Sequence, residues 1–247
     1  MAYSPQAVAD HFRVNVSDLK PSYDLTPGRS IAVVRLVAGT GQRELTFLHW
    51  GLIPPRTKDP GVDDRMIFAR AEAVMQKPAL KDAFCSRRCL IPADGFYEWQ
   101  KEHGHKQPFL VRMRNGHVFP FGGIWERCER ADGKAIESCA ILTTESNDLV
   151  RPLHDRMPLI IRPEDYDRWL DPKTAIESLE PLFRPYPARE MTSYPVSESV
   201  KNPERDDAGG DKPAQAKPGE EGDLFRPVVE EMHRPARQSG VRTKQDG

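Results

Sequence analysis

Short runs of β-branched and aromatic residues recur through the first two hundred residues of the chain, without helices regularly between them. Residues 30–36 (SIAVVRL) and 44–50 (ELTFLHW) flank the segment AGTGQ, which predicts a β-hairpin. Residues 109–113 and 118–124 flank Asn115-Gly116, a pair suited to a two-residue turn, and predict a second hairpin. Strands in this order do not build a doubly wound parallel sheet, so the pattern indicates one mixed α+β domain.

Helical patterns are few. Residues 4–12 (SPQAVADHF) predict a short amphipathic helix, because Ser4 can cap it and Pro5 suits its first position. Residues 163–170 (PEDYDRWL) predict another, with proline and acidic residues in its first turn. We interpret three further segments as strands, namely residues 89–91, 96–99 and 138–144. A turn at residues 92–95 connects the first of them to the second.

The composition changes sharply after Asn202. Residues 203–247 are rich in proline, glycine and mixed charge, with brief apolar interruptions only. Such a segment buries too little apolar surface to offset its ordering entropy. The sequence therefore predicts a folded domain over residues 1–202 and a disordered tail over residues 203–247.

Bulk properties exclude some classes of protein. The formal net charge of −1 argues neither for nor against a nucleic-acid partner. The first residues lack the basic and apolar regions of a signal peptide, and no apolar run is long enough to span a bilayer. We expect a cytoplasmic monomer without membrane association, whose four cysteines stay reduced.

Two residues are candidates for proton transfer. Glu98 lies among the aromatic residues of FYEW, after a Pro-Ala-Asp-Gly turn, and apolar surroundings raise the pKa of a carboxyl group. Alternation along a strand places it on the face opposite Tyr97 and Trp99. His154, in LHDRMP, has a side chain that titrates near neutral pH. Taken singly, each is equally compatible with an ordinary surface or structural position.

Other residues are candidates for binding. Arg70 of FARAEAV is suited to grip a phosphate, although an internal ion pair with Glu72 is an open alternative. Aromatic residues that can stack unpaired bases are interleaved with cations that can follow phosphates, although tryptophans are also ordinary core residues. This group comprises Trp50, Arg87, Arg88, Trp99 and Trp125. Cys85 and Cys89 have helical spacing and no second pair follows, so neither a metal site nor a cofactor is expected.

Several motifs together resemble the SRAP family of SOS response-associated peptidases, or abasic-site-processing proteins. The resemblance runs from about residue 4 to residue 202, and its most specific parts are RRCLIPADGFYEW and LHDRMP. The other parts are WGLIP (50–54), ARAE (69–72), KP (77–78), GGIWE (122–126), ILTT (141–144) and PVSESVKN (195–202).

The resemblance implies a fold and an activity. The fold is a curved, barrel-like and mainly antiparallel sheet with a few flanking helices and a cleft for single-stranded DNA. In the family, an N-terminal cysteine attacks the ring-opened aldehyde of an abasic site and forms a thiazolidine crosslink that protects the lesion. By motif, Glu98 and His154 would transfer protons, Arg70 and Trp99 would hold DNA, and Trp50 would line the cleft.

The sequence departs from the family in three places. The family begins Met-Cys-Gly-Arg, whereas this sequence begins Met1-Ala2-Tyr3; Phe68 replaces the asparagine that precedes ARAE, and Arg56 replaces a tryptophan after WGLIP. One explanation is a start site assigned too late. The alternative is a paralogue that has lost the crosslinking chemistry and only binds single-stranded DNA. A peptidase acting on other proteins rests on the family name alone, since no separate protease constellation is visible.

Overall fold

The computed structural model describes residues 4–17, 19, 25–55, 66–102, 105–129 and 133–201. Ten strands and three α-helices form its regular part. The strands are β1 (Ser30–Leu36), β2 (Arg43–Trp50), β3 (Phe68–Arg70), β4 (Arg88–Ala93), β5 (Phe96–Glu102), β6 (His105–Met113), β7 (Phe119–Glu129), β8 (Ala135–Glu145), β9 (Arg156–Pro158) and β10 (Met191–Pro195). The helices are α1 (Pro5–Phe12), α2 (Pro78–Ser86) and α3 (Tyr166–Leu170).

The larger sheet closes on itself. Its strands follow the order β2-β1-β4-β7-β8, and a short parallel pairing of β8 with β2 completes a five-stranded ring. β3 then runs parallel to β8, and β9 pairs antiparallel with β8. β10, β6 and β5 form a second, three-stranded antiparallel sheet. The prediction of a mainly antiparallel, barrel-like α+β fold is confirmed.

The middle of β1 and all of β4 are buried on both faces of the ring. Ala32 and Val34 of β1 join a core cluster that includes residues of all three helices, whereas Ile31 and Val33 join a second cluster with Val111 of β6. Every residue of β4 is buried, which explains why its sequence, RCLIPA, shows no alternation of polar and apolar residues.

The local predictions near the N-terminus are confirmed. The Ser4 side chain accepts a hydrogen bond from the backbone N–H of Ala7 (3.2 Å), Pro5 occupies the first turn, and Val8 and Phe12 are buried. β1 and β2 pair in an antiparallel register over seven residues as the predicted hairpin. The second predicted helix is a 3-10 turn at Pro163–Asp165 that continues into α3.

The second predicted hairpin is wrong. A tight turn does form at Asn115-Gly116, where Gly116 has a φ of 71° and the Asn115 side chain accepts a hydrogen bond from the N–H of His117. However, β6 pairs with β5 and β10, whereas β7 pairs with β4 and β8. The turn therefore passes the chain from one sheet to the other. α2 was not predicted, and the predicted disordered tail lies outside the described residues.

Candidate functional site

Glu98 projects from β5, one of the two edge strands of the smaller sheet. β5 pairs with β6 in a register that sets Glu98 opposite Phe109. Gly95 allows this pairing at the start of β5, because a Cβ atom there would lie 2.8 Å from Leu110 Cδ1 and 2.9 Å from the carbonyl oxygen of Val111. The backbone directly before β5 thus lies closer to β6 than a residue with a Cβ atom allows without a shift.

The surroundings of Glu98 match the sequence prediction. Burial raises the pKa of the Glu98 carboxyl group from its ordinary value of 4.5 to about 7, with His154 lowering it and Asp155 raising it. Both of these residues are therefore within electrostatic range of Glu98. A carboxyl group with this pKa is partly protonated at neutral pH and can either donate or accept a proton.

His154 lies in the loop between β8 and β9, and its imidazole is anchored by the backbone of Arg156. With Nδ1 unprotonated, the ring accepts a hydrogen bond from the N–H of Arg156 (3.1 Å). With Nδ1 protonated, it donates to the carbonyl oxygen of Arg156 (2.9 Å). The backbone of Arg156 therefore holds the ring whether or not Nδ1 carries a proton.

The loop that carries His154 is fixed by a buried asparagine. The Asn147 side chain donates to the carbonyl oxygen of Tyr186 (2.7 Å) and accepts from the N–H groups of Leu149 and Val150. The N–H of His154 in turn donates to the carbonyl oxygen of Val150 (3.0 Å). Sequence reasoning missed Asn147, although a Ser-Asn pair directly after an apolar strand is a turn signal.

A second contact joins the His154 loop to the 3-10 turn that follows β3. The Arg156 guanidinium donates to both carboxylate oxygens of Glu72, at 3.1 and 2.8 Å, and to the carbonyl oxygen of Thr143 at 2.5 Å. The Thr144 hydroxyl also donates to Glu72. The alternative that Glu72 pairs internally with Arg70 is therefore wrong, because Arg156 occupies its carboxylate.

Arg70 is exposed and shows no hydrogen bond or ion pair with any residue that the structure describes. Its strand, β3, runs beside the end of β8, where Arg70 lies opposite Thr143. Trp50 precedes it along the same edge of β8, with its indole N–H donating to the carbonyl oxygen of Ile67 (3.0 Å). The structure thus places Arg70 and Trp50 next to the strand that leads to His154.

Trp99 is among the exposed large hydrophobic side chains of the described residues. It follows Glu98 on β5, so alternation directs the indole away from the face that carries the carboxyl group. An exposed indole on an edge strand is available for stacking.

Arg87 and Arg88 are not free cations. The Arg88 side chain is only 2% exposed, and its guanidinium donates to the carbonyl oxygens of Phe84, Cys85, Trp169 and Asp171. It therefore joins the C-terminal ends of α2 and α3 to the sheet, and the structure removes it from the DNA-binding candidates. Arg87 pairs with the buried carboxylate of Glu126 at 2.7 Å, which also commits it to a structural contact.

Trp125 also belongs to the scaffold, because the Arg35 guanidinium lies 4.2 Å from the centre of its ring.

All four cysteines are free thiols, and burial raises the pKa of Cys89 and Cys139. Within the described ranges, no three His, Cys, Asp or Glu side chains are grouped to hold a metal ion. No helix in this part of the chain is long and apolar enough to cross a membrane. Met1–Tyr3 and Arg56, where the sequence departs from the family, lie outside the described residues.

Comparison with known proteins agrees with the fold. Residues 1–203 match the family described as SOS response associated peptidase (SRAP). The chain belongs to the SRAP family.

Curated relatives give the family a more specific description. The chain is 39% identical over 185 residues to the abasic site processing protein YoqW of Bacillus subtilis, covering 74% of this chain and 82% of the relative. It is 27% identical over 213 residues to the abasic site processing protein HMCES of Xenopus tropicalis, covering 74% and 63% of the two chains.

Solved structures support the fold. A protein from Bacteroides thetaiotaomicron superimposes with a TM-score of 0.79 at 23% identity, covering 87% of this chain and 98% of that protein. A protein from Bordetella bronchiseptica gives a TM-score of 0.70 at 26% identity, covering 79% and 97%.

Proposed function

We propose that this chain recognises abasic sites in single-stranded DNA and provides the acid–base half of a reaction at the lesion. The observation that carries the proposal is the half-buried Glu98, whose pKa is raised to about 7 beside His154. The abasic site processing activity named for the relatives supports this assignment.

The chemistry that these two groups can perform follows from their protonation. An abasic deoxyribose is mainly a closed hemiacetal, and ring opening requires a proton at the ring oxygen while the hydroxyl proton leaves. Protonated Glu98 can supply the first proton, and its carboxylate can take one up in the reverse step. His154 can then protonate the hydroxyl that leaves as water when an amine condenses with the aldehyde.

The covalent step needs a residue that carries both an amine and a thiol. The amine forms an imine with the aldehyde and loses water, and the thiol then adds to the imine carbon to close a thiazolidine. The sequence shown has Ala2 after Met1 instead of cysteine. A chain with Met-Cys-Gly-Arg ahead of Tyr3 would therefore form the protective crosslink, whereas the chain shown would bind the lesion without covalent capture.

Arg70 is the candidate that holds the DNA strand, because it is an exposed cation two residues before Glu72, which Arg156 binds. Binding that depends on Arg–phosphate contacts weakens with salt, and loss of one contact lowers the slope of log affinity against log salt by about 1. Trp99 offers an exposed ring for stacking a base.

The test separates binding from crosslinking. Binding to single-stranded DNA with one abasic site is measured by fluorescence anisotropy across a salt series, for the chain shown, Arg70→Ala and the control Lys173→Ala. Lys173 is an exposed cation in the turn after α3. We expect salt-dependent binding that Arg70→Ala weakens and Lys173→Ala does not; equal affinity at all salt concentrations would count against the proposal.

A denaturing gel tests the covalent step. We expect no heat-stable shifted band from the chain shown, and a band from a version that carries Met-Cys-Gly-Arg ahead of Tyr3. In that version, Glu98→Gln and His154→Gln should slow band formation by about 10²-fold or more, the usual contribution of a general acid or base. Unchanged rates in both variants would refute the assigned roles.

A further inference from the structure

β3 presents an exposed aromatic ring and an exposed cation on the same face. Its three residues alternate, with Phe68 and Arg70 exposed and Ala69 buried between them. The Phe68 side chain is 45% exposed, which is unusual for a large apolar ring on a strand. Residues two apart on a strand are separated by roughly 6.6 Å along it, so the ring and the guanidinium are close neighbours.

The Phe68 ring is supported from one side. Trp50 meets it edge-to-face, with ring centroids 5.8 Å apart and planes at 83°. Trp50 is itself tied to the backbone of Ile67, the residue before Phe68, through its indole N–H. These contacts brace one side of the Phe68 ring, so part of its side-chain entropy is already lost before another ring stacks on it.

We propose that Phe68 is a stacking surface for one unpaired nucleobase of the DNA strand whose phosphate pairs with Arg70. A flat ring beside a cation matches the two parts of a nucleotide, a π face and a phosphate, better than it matches an apolar protein surface. The inference rests on the proposed function, because it names how the same site would hold its DNA.

This arrangement links the base to His154 through one chain of contacts. Glu72 follows Arg70 by two residues and is gripped by Arg156, whose backbone anchors His154. A base stacked on Phe68 would therefore set the neighbouring nucleotide at a fixed distance from His154. Phe68 acts here as a positioning residue and takes no part in proton transfer.

The experiment compares Phe68→Leu and Phe68→Trp, using anisotropy with single-stranded DNA. Leucine keeps an apolar side chain but removes the π face, so affinity should fall between about 5- and 150-fold, the range for one base–aromatic stack. The salt slope should not change, because no phosphate contact is lost. Tryptophan should retain the affinity, and its added fluorescence should be quenched by single-stranded but not by duplex DNA.

Phe47→Leu is the matched control. The Phe47 ring is 44% exposed, and it lies three residues before Trp50 on β2, so alternation directs it to the opposite face of that strand. The Phe47→Leu variant should bind DNA as the unsubstituted chain does. Circular dichroism of each variant checks that the fold is retained.

The outcomes are distinguishable. Suppose that the unsubstituted chain binds with salt dependence, and that Arg70→Ala weakens this binding whereas Phe68→Leu does not. The inference is then overturned and the proposed function stands. An equal loss in Phe47→Leu, or unquenched fluorescence in Phe68→Trp, also overturns it. If the unsubstituted chain does not bind single-stranded DNA in low salt, both fail together.

Discussion

Arg156 holds Glu72 by two side-by-side hydrogen bonds of 3.1 and 2.8 Å, although the two residues are 84 positions apart in the sequence. The same arginine anchors the His154 ring through its backbone. The turn after β3, which follows the exposed Arg70, is therefore joined directly to the loop that carries the candidate proton donor.

Breaking this pair should loosen the His154 loop. The Glu72 side chain is 43% exposed, so Glu72→Gln should cost only about 1 kcal/mol of unfolding free energy at pH 7. Arg156→Met should cost more, about 1–3 kcal/mol, because Arg156 is 17% exposed and also bonds Thr143. Urea unfolding of both single variants and the double variant checks this, since coupled residues give a non-additive cycle. Full additivity would contradict the pairing.

The same pair has a defined pH dependence. Burial alone would raise the pKa of Glu72, but hydrogen bonds and charge from Arg156 lower it overall below 4.5. A lowered carboxyl pKa stabilises the fold above the unfolded-state value, and that stabilisation is lost as pH falls through the folded-state pKa. The stability difference between the unsubstituted chain and Glu72→Gln should therefore be full at pH 7 and shrink below pH 4.5.

Glu98 should show the opposite pH dependence. Because its pKa is raised to about 7, the protonated form is favoured in the folded state, and ionisation destabilises the fold as pH rises from 4.5 to 7. Glu98→Gln mimics the protonated acid. Its free energy of unfolding, relative to that of the unsubstituted chain, should rise by about 1–2 kcal/mol from pH 5 to pH 8, allowing for partial solvent exposure. Urea unfolding at pH 5 and at pH 8 measures this change.

Glu177→Gln is the control for Glu98, because Glu177 is exposed. Its effect on stability should be the same at both pH values. A pH-independent effect of Glu98→Gln would show that the carboxyl group is not held protonated by burial.

Local contacts could be predicted from the sequence better than distant ones. The β1–β2 hairpin and the cap of α1 follow from residues that are neighbours in the chain, and both formed as expected. The turn at Asn115-Gly116 was also predicted correctly, but the pairing of its flanking strands was not. Their partners, β5 and β10 for one and β4 and β8 for the other, are selected by long-range packing.

The site shows the same division. The aromatic neighbours of Glu98 in FYEW predicted a raised pKa from sequence alone, and burial does raise it. The partner of Glu72 could not be found this way, because Arg156 reaches it only when β3 and β9 are both aligned on β8. Arg87 and Arg88 look alike in the sequence, and only the packing of α2 and α3 decides that Arg88 is enclosed.

Arg88 should therefore matter for stability and not for binding. Arg88→Met leaves up to four carbonyl oxygens without their donor and should cost about 3–5 kcal/mol. Arg88→Lys should recover only part, since an ammonium group cannot reproduce the planar fork. Thermal and urea denaturation measure both. Arg127→Ala, at an exposed ion pair, should change stability by less than about 0.5 kcal/mol. Equal losses of stability in Arg88→Met and Arg127→Ala would contradict the scaffold role of Arg88.

Gly95 should be required for the position of Glu98. In Gly95→Ala, the new Cβ would meet Leu110 Cδ1 at 2.8 Å and the Val111 carbonyl oxygen at 2.9 Å, so β5 must move away from β6. We expect a loss of about 1–3 kcal/mol, the usual cost of overpacking. Adding Leu110→Val removes the side-chain clash but not the backbone one, so stability should recover only in part. Urea unfolding measures the stability of both variants.

The pKa of Glu98 is obtained by comparing the pH dependence of each variant's stability with that of the same variant carrying Glu98→Gln. That pKa should fall towards 4.5 as β5 moves and the carboxyl group becomes hydrated. An unchanged pKa together with unchanged stability would show that the close approach of the two strands does not set the site.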